Sequence, residues 1–254
     1  MKPRMMRYEI FDREPGVLHG VTLRDPSKEL DFSLALHTGQ AAEAIGANRR
    51  DLEHYFGAES QFVSVLQVHG ERIWRVKEAK KHHGWETLDR SIEADGLVTD
   101  IPGVVLTILT ADCVPILCYD PGRKVIAAVH AGWKGSRLGI AAKAVRTMTE
   151  EYGSDPGEIR VAIGPSIGGC CYEVGSDVAA HFMEVEEAIR PGRDDRFFLD
   201  LKTVNRRQIL EAGVLPEHIE TSPICTACER ERFFSYRAEE GCDGRFMSCI
   251  MIEC

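Results

Sequence analysis

Residues 124–140 read KVIAAVHAGWKGSRLGI, and they set the class of fold. KVIAAV is apolar enough to form a buried strand that ends at His130. Gly132 and Gly135 then open a turn, after which Leu138, Ile140, Ala141, Ala144, Val145 and Met148 recur at helical spacing. A strand running through a glycine-rich loop into an amphipathic helix is the repeating unit of layered α/β folds. The backbone N–H groups of residues 132–136 are candidates to face an anion at that helix start.

Working outward, residues 104–109 and 114–119 both read as buried strands. Thr110, Ala111, Asp112 and Cys113 separate them, a bend is expected at Cys113, and Pro115 argues against a continuous central strand. Residues 62–68 (FVSVLQV) and 72–76 (RIWRV) flank His69-Gly70-Glu71 and predict two strands joined by a tight turn, with His69 at a strand end. The polar stretch 80–94 predicts a loop, and Asp95-Gly96 leads into a short strand at 97–99. Downstream, 160–163 predicts a strand and 175–189 and 201–212 predict helices, the second with Asp200 as N-cap and Gly213 past its end. Residues 245–252 alternate enough for a closing strand. Strands and helices interleave while hairpin-like pairs also occur. The expected architecture is therefore α/β (α+β), a layered sandwich with mixed β-sheets, in one domain spanning residues 1–254.

The chain has 254 residues, 44% hydrophobic and 28% charged, which excludes disorder and fibrous structure. A net charge of −9 argues against a nucleic-acid partner, because no basic excess is present to neutralise a run of phosphates. The opening MKPRMMRYEIFDREPG has no apolar h-region, and the longest apolar run, 103–118, is interrupted by Thr107, Thr110 and Asp112. The expectation is a cytoplasmic protein with no membrane partner, as a monomer or weak homodimer. Nine cysteines cannot all pair within one chain, so in a reducing compartment some thiols are candidate ligands or nucleophiles.

Three separated segments each bring one soft or borderline donor to a predicted strand end: His69 in QVHG, Cys113 in LTADC and His130 in VHAGW. Two imidazoles and one thiolate suit zinc, and three protein ligands leave a fourth position open. A competing ligand set joins Cys225-Thr-Ala-Cys228 to Cys242 and Cys249 as a closed structural site. Adjacent Cys170 and Cys171 read as turn and core, since neighbours on an extended backbone point to opposite faces. Copper is less favoured than zinc, because no His-x-His occurs and the one close pair, His82-His83, lies in the polar stretch.

LTADCVPILCYDP (109–121), VIAAVHAGWKGSRLGI (125–140) and AIGPSIGGCCYEVG (162–175) closely resemble the laccase-domain family of bacterial purine nucleoside phosphorylases, also known as multicopper polyphenol oxidases or peptidoglycan editing factors. QVHG, EADGLVTD, Cys225-Thr226 and FFSYR (233–237) extend the resemblance to nearly the whole chain. It implies a layered fold related to toxin-type cysteine deamidases, with one zinc ion held by His69, Cys113 and His130. It also implies phosphate-dependent cleavage of adenosine, inosine, guanosine and methylthioadenosine, with adenosine deamination beside it. Purine nucleosides and inorganic phosphate are then the expected partners. Three positions depart from the family pattern: Ser33 stands where Asn is usual, Gln40 where Asp is usual, and Ser166 where Cys is frequent.

Zinc lowers the pKa of a bound water to about 7, as deamination at purine C6 requires. Phosphorolysis needs anion donors, for which Arg49, Lys134 and Arg237 are candidates because a guanidinium fork or ammonium suits phosphate. Gln67 shares the face of His69 and is a candidate contact to the base, or else a strand amide. Asp112 is a candidate general acid/base, an acceptor for a ligand imidazole, or a cap on the bend. Cys113 and His130 are the leading catalytic candidates, also in the alternative of a metal-free Cys/His hydrolase or amidase acting on a peptide or cell-wall fragment.

Overall fold

Strands that are apolar on both faces need cover on both, and the chain supplies it with two large sheets stacked between helices. The computed structural model describes residues 3–57, 59–78, 84–88 and 92–254. The chain begins with β1 (Met5–Met6), α1 (Glu9–Asp12), β2 (Val17–Thr22), α2 (Ala42–Phe56), β3 (Gln61–Val63), β4 (Ile73–Arg75) and β5 (Gly96–Thr99). It continues with β6 (Val104–Thr110), β7 (Val114–Asp120), β8 (Val125–Ala131), α3 (Trp133–Arg137), α4 (Ile140–Tyr152) and β9 (Arg160–Ile163). The last part holds β10 (Glu173–Gly175), α5 (Ser176–Ala179), β11 (Ile189–Pro191), β12 (Arg196–Leu199), α6 (Leu201–Glu211), β13 (Ile219–Thr221) and β14 (Phe246–Ile252).

One sheet has five strands in the order β1-β2-β14-β6-β3, a second has six in the order β13-β9-β7-β8-β5-β4, and a small third is β10-β12-β11. Both large sheets are mixed, as expected: β3 runs parallel to β6 and β4 to β5, while β14 is antiparallel to both its neighbours. The period-two alternation of side chains divides each strand between two cores. Leu117, Ile126 and Ala128 of the six-stranded sheet meet Leu106, Ile108 and Ile250 of the five-stranded sheet in the layer between them. The opposite face of β8, with Val125, Ala127 and Val129, packs on Ile140, Ala144 and Val145 of α4 and on Leu201 and Val204 of α6. Cys249 and Met251 of β14 turn outward to Leu52 and Phe56 of α2. Helix, sheet, sheet and helix thus form four layers.

Several sequence expectations are corrected. Segments 62–68 and 72–76 do not form a hairpin: β3 belongs to the five-stranded sheet and β4 to the six-stranded one. The N–H groups of Val68, His69 and Gly70 go to the Asp95 carboxylate instead of to a facing strand. Pro115 lies within a central strand after all. Its carbonyl accepts from Gly164, just past the end of β9, so its imino nitrogen faces the side where no ladder partner remains. The helix after His130 is two helices, α3 and α4, separated by Gly139 in the left-handed conformation (φ 73°), and Leu138 is exposed. Helix 175–189 shrinks to α5, because turn bonds from Phe182 to Ala179 and from Val185 to Phe182 fold Phe182 into the core. The expected strand at 245–252 is β14, paired on both sides in the middle of its sheet. Asp200 caps α6 as expected, accepting from the N–H groups of Lys202 and Thr203. Part of the 80–94 loop, including His82 and His83, lies outside the described residues. Among the described residues, no helix is long and apolar enough to cross a membrane.

His19 on β2 is fully buried, and its Nε2 accepts the N–H of Tyr8 at 2.9 Å. Burial, with Arg7 nearby, pushes its pKa from 6.5 down to about 4, so the fold holds the neutral ring. A depressed folded pKa means that the unfolded chain binds the extra proton. This contribution to stability is complete above pH 6.5 and is lost as pH falls toward 4. Urea unfolding across that window is expected to show a loss of up to about 3 kcal/mol from this group. In His19→Gln the slope should flatten; an unchanged slope would assign it to other groups.

Candidate metal centre and cavity

The site lies at the end of the sandwich where β6 leaves one sheet and β7 enters the other. Residues 111–113 make that bend, with Asp112 at φ 89°, and place Cys113 immediately before β7. On the adjacent β8, His130 pairs in register with Pro115 and shares the strand face of Ile126 and Ala128, which points into the layer between the sheets. His69 arrives from the crossover between β3 and β4 with φ 60°. The donor atoms of His69, Cys113 and His130 all lie within 4.8 Å of one another. Cys113 Sγ is 3.9 Å from His69 Nε2, and the two imidazoles meet edge to face at 4.7 Å between centroids. Gly132 completes the cradle: a Cβ there would come within 2.9 Å of His69 Cδ2 and 3.1 Å of Cys113 Sγ.

Asp95 organises this arrangement. Its fully buried carboxylate receives the backbone N–H groups of His69 and Gly70 at 2.9 and 2.7 Å and sits 2.8 Å from His130 Nδ1. Burial alone would raise its pKa, but His130 and the backbone donors outweigh that and hold it below the usual carboxylate range. A charged carboxylate requires the proton on His130 Nδ1, which leaves Nε2 for the site. Burial likewise works against the Cys113 thiolate, yet His130 and His69 bring its pKa down to about 6. His130 is driven the other way, to about 9: burial lowers it and is overcome by Cys113 and Asp95. The pair therefore favours thiolate beside imidazolium, the charge distribution that a bound cation would replace.

The residues fit zinc. Bonds of about 2.0 to 2.3 Å in a tetrahedron put a sulfur and a nitrogen ligand about 3.5 Å apart, close to the 3.9 Å between Cys113 and His69. One imidazole already has a carboxylate on its remote nitrogen, the usual support of a metal-binding histidine. The rival set of Cys225, Cys228, Cys242 and Cys249 does not assemble, because Cys249 is buried in β14 against the α2 layer.

Above the three donors opens a cavity of about 500 Å³, with His37, Trp133, Tyr172, Tyr236, Arg237 and Arg245 in its wall. Of the sequence candidates, Gln67, Asp112 and Arg237 also line it, whereas Arg49 and Lys134 do not. Arg49 is buried in α2, with its guanidinium given to the carbonyls of Leu34 and Trp85. Lys134 belongs to the five-residue α3, from which Trp133 reaches the cavity. The Gln67 amide is taken up by both backbone groups of Leu109, the role of a strand amide. Asp112 accepts from the hydroxyls of Thr226 and Ser235 at 2.6 and 2.7 Å and from the Arg237 N–H at 2.7 Å. Those donors make it the anchor of the Arg237 segment, and among the described residues no hydrogen bond joins it to His69 or His130.

Sequence reasoning assigned no role to Asp95, His37, Tyr172, Tyr236 or Arg245. Asp95, Tyr172 and Tyr236 stand inside the motifs EADGLVTD, AIGPSIGGCCYEVG and FFSYR, and His37 lies between Ser33 and Gln40, so the signal was present without its geometry. Two departures from the family pattern turn out to touch: Ser33 Oγ donates to Gln40 Oε1 at 2.6 Å and accepts the N–H of Arg245. The two side chains are thus joined next to a cavity cation. Asp95→Asn is expected to weaken metal binding at these donors by about 10- to 100-fold, read by chelator competition with added Zn²⁺. Unchanged affinity would show that the carboxylate does not tune His130.

The chain matches the family model described as multi-copper polyphenol oxidoreductase laccase over residues 10–253. It is 36% identical over 239 residues to purine nucleoside phosphorylase YlmD of Geobacillus stearothermophilus, covering 91% of this chain and 86% of that protein. A purine nucleoside phosphorylase of Bacteroides thetaiotaomicron is 32% identical over 260 residues, covering 98% and 96%. Among solved structures, the Bacillus licheniformis hypothetical protein YfiH superposes with a TM-score of 0.92 at 34% identity, covering 99% of this chain and 97% of its own. With the match running through β14 and through every residue of the His69, Cys113 and His130 centre, the chain belongs to the multi-copper polyphenol oxidoreductase laccase family.

Proposed function

We propose that this chain is a zinc-dependent purine nucleoside phosphorylase that also deaminates adenosine. The observation that carries the reading is the cavity itself, where a His, Cys, His donor set opens beneath aromatic rings and two guanidinium groups. The similarity to proteins known as purine nucleoside phosphorylases supports the phosphorylase part of this reading. Zinc is favoured over copper by the donors: a copper site of two His and one Cys usually adds an axial Met, and no Met lines this cavity among the described residues.

Zinc held by His69, Cys113 and His130 would supply Lewis acidity to the cavity. The remaining work falls to the chain. Arg245 and Arg237 are held over the rings of Tyr236 and Tyr172, at 5.6 and 5.1 Å from the centroids, and by backbone carbonyls. Their fixed positive charge binds phosphate and orients it toward ribose C1′. Asp112 acts here by positioning, keeping the Arg237 segment against the cavity. Trp133, Tyr172 and Tyr236 offer faces for a purine. Burial and the nearby Cys113 push the Tyr172 phenol up to about 12, so it remains a hydrogen-bond donor at neutral pH. As phosphate oxygen bonds to C1′ and the C1′–N9 bond breaks, the purine takes the electron pair, and a neutral donor stabilises it. Adenosine, inosine, guanosine and methylthioadenosine each present a purine joined through N9 to ribose C1′. In deamination, water adds at C6 and ammonia leaves from the same bound base.

Purified protein is expected to release hypoxanthine from inosine only with phosphate present, and His130→Ala should abolish that release; activity retained in His130→Ala would overturn the assignment. Arg245→Ala should raise KM for phosphate by about 10- to 100-fold, the range for losing a hydrogen bond to a charged group, with less effect on KM for inosine. Equal effects on both would remove the phosphate from Arg245.

A second reading is favoured by one observation, the succession Cys113, His130, Asp95 in contact order, with the thiol acidified. That is the layout of a thiol nucleophile, its base and an orienting carboxylate. A metal-free hydrolase or amidase would retain full activity after chelation and would lose it on alkylation of Cys113. The zinc enzyme loses activity on chelation.

A further inference from the structure

Cys170 and Cys171 lie in the loop after β9, and Cys225 and Cys228 in the loop after β13; all four Sγ atoms come within 4.8 Å of one another. Cys228 Sγ is 3.5 Å from Cys171 Sγ and 3.8 Å from Cys170 Sγ. A disulfide needs about 2.05 Å. Four thiolates around one zinc at about 2.3 Å stand about 3.8 Å apart, close to the two distances from Cys228. Residues 169–171 form a turn, not an extended run, so the adjacent side chains of Cys170 and Cys171 both reach Cys228. From these distances we infer that Cys170, Cys171, Cys225 and Cys228 form a second, closed metal site for zinc, separate from the His69, Cys113 and His130 centre.

The surroundings are built for such a site. The Gly168 N–H donates to Cys225 Sγ at 3.2 Å, a bond that favours the thiolate. The two loops are already tied by the Ser166–Cys225 bridge and by the Thr226 N–H on the Ser166 carbonyl, so the sulfurs meet without a folding search. A tetrathiolate zinc carries a net charge of about −2, and the cavity that Cys170 and Cys225 line also holds Arg190 and the buried Lys202, together with Glu187 and Asp200. Lys202 gives its Nζ to the carbonyls of Ser222 and Ile224 and forms no ion pair among the described residues. Binding would release the thiol protons to solvent.

The position gives the site a consequence for the cavity. Tyr172, in the cavity wall, follows Cys171 directly, and Thr226, which donates to Asp112, follows Cys225. The second metal is a staple that holds both loops to the bend carrying Cys113. It contributes no open coordination position, because all four ligands come from the chain.

The test separates the two centres. His69→Ala/His130→Ala protein, expressed with added zinc and passed through EDTA and gel filtration under reducing conditions, is expected to retain one zinc per chain by elemental analysis. Adding Cys225→Ser/Cys228→Ser to that background should remove it. A measurement without any substitution runs in parallel: Co²⁺ exchanged into the wild-type chain should give the charge-transfer intensity of five thiolates, four from this site and one from Cys113, displaced on adding Zn²⁺. Zinc absent from the His69→Ala/His130→Ala chain, wild-type Co²⁺ bands with the intensity of a single thiolate, or an anaerobic intact mass showing disulfides among these cysteines would each overturn the proposal.

Discussion

One buried carboxylate organises the functional end of the molecule. Asp95 accepts three consecutive N–H groups, from Val68, His69 and Gly70, and faces His130 Nδ1 as well. A charge taken this far from water is tolerable only with its lone pairs filled. Filling them shapes the crossover between the two sheets, sets the left-handed backbone at His69 and chooses the His130 tautomer. The two histidines are thus placed by the same group, although 61 positions of sequence separate His69 from His130.

A second carboxylate does for the cavity wall what Asp95 does for the donors. Asp112 sits in the bend between the sheets and draws in Thr226, Ser235 and the Arg237 N–H. The late segment of the chain is thereby brought over Cys113, carrying Tyr236 and Arg237 into the cavity. Because Asp112 and Cys113 are neighbours, wall and donor cluster are tied through one peptide bond. The arrangement also accounts for the cost of a left-handed Asp at φ 89°: three charge-assisted hydrogen bonds offset the strain.

How far the sequence could be read follows from what each signal depends on. The strands at 104–110, 114–120 and 125–131 were legible because both their faces are buried, so nearly every residue reports the same environment. The gathering of His69, Cys113 and His130 was legible as far as donor type goes, because two imidazoles and a thiolate at strand ends are metal-type donors whatever the fold that carries them. Arg49 was misjudged because a guanidinium answers equally to phosphate and to backbone carbonyls, and only packing shows that Leu34 and Trp85 claim it. The false hairpin at 62–76 had a similar origin: two good strands adjacent in sequence imply nothing about which sheet each joins, and the deciding acceptor, Asp95, lies some 25 residues away.

What the sequence determined by itself was the inventory: a layered α/β chain, three metal-type donors at strand ends, and more thiols than one such centre can use. Those properties depend on residue type and on local spacing, which survive without a third dimension. What the tertiary structure alone decided was company. It joined Ser33 to Gln40 beside Arg245, gave Gln67 to the backbone, and gathered Cys170 and Cys171 with Cys225 and Cys228 across more than fifty residues. The physical reason is that a hydrogen bond or a coordination sphere is satisfied at a distance of a few ångströms, and separation along the chain carries no information about that distance.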